Sequence, residues 1–136
     1  MAYFPSAVKN TEEALNYLAK IVQGLATVVT SAATTLTAAA AAFVTNGIYS
    51  LSGGTTCTIT SPTAAQIVAA LDNPQVGTSF VVSIVNANSG TATMDGGTGV
   101  TVVGLATAAT NTSATFRGVV TNVTSGAEAV SLYRVD

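Results

Sequence analysis

The chain has 136 residues, 49% of them hydrophobic and only 7% charged; four Lys or Arg stand against six Asp or Glu, for a formal net charge of −2. An ordinary soluble domain is about one quarter charged, so this composition predicts that neighbours cover much of the surface, since a lone monomer would struggle to hide so many apolar side chains. With no His, no Trp and one cysteine, Cys57, the chain cannot assemble a Ser-His-Asp or Cys-His arrangement, a His/Cys metal cluster or an internal disulfide.

The length suits one compact domain, or a small domain with an appended arm. Met1–Ser6, with Tyr3, Phe4 and Pro5, is a short apolar tip that either anchors in a partner pocket or packs back on its own domain. Asn10 followed by Glu13 fits a capping box. From there apolar residues recur at alternating spacings of three and four: Leu15, Leu18, Val22, Leu25, Val29, Ala32, Leu36, Ala39 and Phe43. This is a heptad seam that ends before Asn46-Gly47, and it predicts a helix over residues 1–46 with a break near Gly24 and the β-branched run Thr27–Thr30. The seam is read as an oligomerisation segment or coiled coil; the alternative is an amphipathic helix lying on its own domain. Ile21–Ile48 is long enough to cross a bilayer, but its many Ala and Thr residues give it a weak insertion energy, which tells against a membrane span.

Residues 47–136 read as the second domain. Turn signals divide it at Gly53-Gly54, Asn73-Pro74, Ser89-Gly90, Asp95-Gly96-Gly97, Thr110-Asn111 and Ser125-Gly126. Between them lie strand-like runs at Thr55–Thr60, Ser79–Asn86, Thr98–Gly104, Ser113–Val123 and Glu128–Val135. Ser79–Asn86 places Phe80, Val82 and Ile84 on one face and Val81 and Val85 on the other. Pro62 and the capping box of Thr63 and Gln66 predict a short helix over Thr63–Leu71. The expected fold class is α+β: an N-terminal helical segment followed by an antiparallel β-sandwich with a short inserted helix. No fixed internal period is evident.

Functional chemistry is sparse. Gly96-Gly97-Thr98-Gly99 lacks the Lys-Ser/Thr of a phosphate loop and reads as a hairpin turn. Asp72, Asp95, Glu128 and Asp136 show no spacing that brings two carboxylates together, so the chain is expected not to be an enzyme and to use no cofactor or metal. Lys9, Lys20, Arg117 and Arg134 are too few and too scattered for a nucleic-acid stripe. Arg117 and Arg134 are solvated edge charges or inter-subunit contacts, with Glu128 or Asp136 as partners. The interface residues expected from sequence are therefore Leu15, Leu18, Val22, Leu25, Val29, Leu36, Phe43, Arg117 and Arg134.

The Ala/Thr/Val/Gly-rich, nearly uncharged composition, with an N-terminal helical segment ahead of runs such as Val76-Gly77-Thr78-Ser79-Phe80 and Gly126-Ala127-Glu128-Ala129-Val130, resembles virion structural proteins of tailed bacteriophages, especially capsid decoration (cement) proteins. The resemblance implies a homo-oligomer, commonly a trimer, seated on the major capsid protein at the virion surface, where it bridges and stabilises shell subunits. It carries no site residue with it. The alternatives are a tail, fibre or baseplate component with a receptor-contacting β tip, and a membrane-anchored surface subunit.

Overall fold

The computed structural model describes Glu12 and residues 25–136. Strand β1 (Val28–Ser31) and strand β2 (Thr35–Thr37) lead to a five-residue helix, α1 (Ala40–Val44). The same order recurs as β3 (Gly47–Ser52), β4 (Cys57–Thr60) and α2 (Ala64–Ala70). The chain then forms β5 (Ser79–Ala87), β6 (Ala92–Asp95), β7 (Val100–Val103), β8 (Thr107–Ala108), β9 (Thr112–Asn122) and β10 (Ala129–Arg134).

From β1 to β9 successive strands alternate between two sheets, and β10 then pairs with β9 in the same sheet. The larger has the order β1-β3-β5-β9-β10-β7 and the smaller β2-β4-β6-β8. Within the larger, β1, β3 and β5 run parallel, with Val28 beside Ile48 and Ile48 beside Ser83. Within the smaller, β2, β4 and β6 are also parallel, with Thr35 beside Thr58 and Thr58 beside Thr93. The first three pairs of strands thus form a stacked coil, each turn laying one strand in each sheet. Helices α1 and α2 close the first two turns and pack on each other. Antiparallel pairing begins only at β9 on β5, β10 on β9 and β8 on β6.

This corrects the expected fold. The sheets are mixed, not an antiparallel sandwich, and residues 28–37, read from sequence as heptad helix, form two strands, β1 and β2, joined by a short turn. The β-branched residues Val28, Val29, Thr30, Thr35 and Thr37 lose side-chain freedom in a helix and pack well on a pleated surface. Between the two strands, the Ser31 hydroxyl accepts the Ala33 N–H at 3.1 Å, a local bond that offers the backbone a turn in place of a helix. Among the described residues there is no coiled coil. The capping box at Thr63 is present: its side chain accepts the Gln66 N–H, and the Gln66 side chain accepts the Thr63 N–H.

The core lies between the two sheets. The larger sheet contributes Tyr49, Leu51, Val82, Ile84, Phe116, Val120 and Leu132, and the smaller Cys57, Ile59, Ala92 and Met94. Phe43 of α1 and Ile67 of α2 plug the open side. At the corner between the sheets the coil turns stack closely, because a Cβ at Gly54 would stand 2.7 Å from the Ala32 carbonyl oxygen. In the next turn Asn88 accepts the Gly54 N–H at 3.1 Å. The buried Asn86 donates to the carbonyls of Gly90, Ala108 and Ala109 and accepts the Asn88 N–H, so one side chain joins β5 to the end of β8.

Candidate functional site

The outward residues of the larger sheet form aligned rows. One row runs Val81, Arg117, Tyr133, Val103 across β5, β9, β10 and β7. The next runs Ser79, Val119, Ser131, Thr101. On the other side of these lie Val28, Ile48, Ser83, Thr115, and then Thr30, Ser50, Val85, Ser113. Strand periodicity dictates this: Phe80, Val82 and Ile84 of β5 are buried, so the residues between them point outward. Besides Ile48 and Tyr133 the rows carry valines and small hydroxyl side chains, with a single charge, Arg117. Val85, in mid-sheet, is 43% exposed, and Val28, Val103 and Tyr133 are exposed at its margins.

Hydroxyl groups on this face partly satisfy one another: Ser83 Oγ and Thr115 Oγ1 stand 3.4 Å apart across β5 and β9. Arg117 is exposed and makes no ion pair among the described residues. It is a free cation set in a neutral field, able to give a forked, two-point contact to an acceptor on a partner.

Arg134 has a different role. Its Nη1 donates to the carbonyls of Leu105 (3.0 Å) and Thr107 (2.8 Å), its Nη2 to that of Ser113 (3.4 Å), and its Nε to the Asp136 carboxylate. The guanidinium also lies over the Phe116 ring, 5.8 Å from its centroid. These contacts use its donors inside one chain, tying the β7–β8 loop to the start of β9. The bond from Arg134 holds the Asp136 carboxyl below the usual carboxylate range.

The other residues expected at an interface are dispersed. Leu15, Leu18 and Val22 lie outside the described residues. Leu25 is exposed just ahead of β1, while Val29 in β1 and Leu36 in β2 are half-buried against the core. Phe43 is fully buried, its ring 5.6 Å from that of Phe80 in an edge-on contact, so it serves the core. Sequence reasoning passed over the outer face of the larger sheet, although Val81 and Val85 opposite a buried row were its visible sign.

Two recesses mark the rest of the described surface. A recess of about 400 Å³ is lined by Val85, Asn86, Ala87, Asn111, Thr112 and Ser113, none of them titratable. A second, of about 390 Å³, has Glu128 among Thr63, Ala65, Thr98, Gly99 and Gly126, and Glu128 already accepts the Gly126 N–H at 3.1 Å. Among the described residues no group of three His, Cys, Asp or Glu could hold a metal ion, and no helix is long and apolar enough to cross a membrane. Cys57 is buried in β4, and burial pushes its thiol up, away from the reactive thiolate. No family model, curated protein or solved structure matches the chain.

Proposed function

We propose that this protein is a non-enzymatic structural component that works by assembling with copies of itself on a larger protein shell, in the manner of a capsid decoration protein. The observation that carries the reading is the outer face of the six-stranded sheet. Its aligned rows, mostly Val, Ser and Thr with Ile48 and Tyr133, hold one charge, Arg117, so covering it dehydrates almost no ionic groups. Sheets stack about 10 Å apart when such faces meet, and a standard interface buries on the order of 1,600 Å² in all. A protein that binds only the assembled shell raises the shell's resistance to opening by mass action. Arg117, central in its row, supplies direction to an otherwise non-directional contact.

Lysines at Val81 and Val85 test this, since both side chains point outward and neither change disturbs the core. In co-sedimentation with shells purified from the encoding virus, the unaltered protein is expected in the pellet and the Val81→Lys, Val85→Lys protein in the supernatant, with unchanged thermal unfolding. Equal pelleting of the two, or failure of both to bind heads while decorating tails, contradicts the reading.

A further inference from the structure

We infer that the first turn of the coil is the docking end for a second copy of this chain, β1 meeting β1 and β2 meeting β2 about a two-fold axis. This deepens the assembly reading above and rests on it.

Strands β1 and β2 are the edges of their respective sheets, and both lie at the same end of the coil. Each therefore presents a row of unpaired backbone N–H and C=O groups among the described residues. Natural edges are blunted by Lys, Pro, bulges or covering loops. Here Val28–Ser31 and Thr35–Thr37 contain neither a charge nor a proline, and no irregularity interrupts their pairing.

The occupant is set by geometry and charge. It must offer two strand edges at once, separated by the distance between packed sheets, about 10 Å. The same end of a second copy does so by construction. The opposite end does not: beyond β5 the larger sheet continues through β9, β10 and β7, whereas the smaller gains only β8 beyond β6. Its two outer edges, β7 and β8, are thus offset by two strand widths, roughly 9–10 Å. Charge points the same way. No charged residue occurs between Lys20 and Asp72, so β1 through α2 are wholly neutral. A charged partner would find nothing there to complement, while a like neutral end meets it without repulsion.

The test combines sedimentation equilibrium of the full chain with amide exchange. The expected result is an assembly of even number in which the amides of Val28–Ser31 and Thr35–Thr37 are protected. The substitutions Thr35→Lys and Thr37→Lys, on exposed side chains away from the outer face of the larger sheet, are expected to weaken association at least ten-fold and to release that protection. Val81→Lys with Val85→Lys is expected to leave the edge protection in place. Edge amides that exchange freely in the assembled protein, an odd-numbered or endlessly growing assembly, or association unchanged by the edge lysines overturns the inference and leaves the assembly reading standing. Protected edges in a monomer show that the chain's own N-terminal segment covers them, which also overturns it. A monomer with unprotected edges that also ignores shells ends both.

Discussion

Phe80 of β5 lies directly across from Gly118 of β9, and a Cβ at Gly118 would overlap its ring. The glycine is there for space, since its φ is not in the left-handed region. Overpacking of this kind costs about 1–3 kcal/mol, so Gly118→Ala is expected to lose that much in urea unfolding; an unchanged midpoint would mean the ring moves freely. Tyr49 carries the opposite problem. Its hydroxyl is buried with no partner among the described residues, and burial pushes its pKa from 10.0 up to about 12. The unfolded chain ionises first, so stability is full below pH 10 and falls as pH rises towards 12. Tyr49→Phe is expected to hold or gain about 1 kcal/mol at pH 7 by removing an unsatisfied polar group, and to flatten the alkaline decline. The Cys57 thiol, also pushed up by burial, leaves a residual slope of the same sign. Urea midpoints at pH 7 and pH 11 check both, and a loss on removing the hydroxyl would contradict the orphaned geometry.

Arg134 binds elements that are otherwise weakly held, because β8 has only two residues. Lysine has one point of charge in place of a fork and cannot reach the Leu105, Thr107 and Ser113 carbonyls together. Arg134→Lys is expected to cost about 1–2 kcal/mol and to speed amide exchange across Gly104–Ala108; exchange no faster than in the unaltered protein would contradict this role. Several elements were legible in the sequence for local reasons, though β3, Gly47–Ser52, was not among them. The Thr63 and Gln66 pair marks α2, and alternation marks β5, β9 and β10. Residues 28–37 were not, because Val29 and Leu36 satisfy a spacing of seven as well as the inward positions of two short strands. The coil was hidden too: paired residues step by 20 from Val28 to Ile48 but by 35 from Ile48 to Ser83, so no fixed period survives in the chain. β6 and β8 are short and sit among Gly, Ala and Thr, where turn signals outweigh strand pattern.

At the scale of the whole molecule, charge and architecture divide together. The coil from β1 to α2 is neutral, and the charges after Lys20 all lie from Asp72 onward. Composition alone made covering neighbours the natural expectation; which surface they cover depends on pairing between strands far apart in sequence, such as Val81 with Arg117 and Arg117 with Tyr133. That information is tertiary and no local pattern holds it. The most direct measurement is the mass of the purified full chain by light scattering over a dilution series. The account predicts a stable multiple of 13.4 kDa that persists on dilution; a single-chain mass maintained at high concentration, without aggregation, would contradict it.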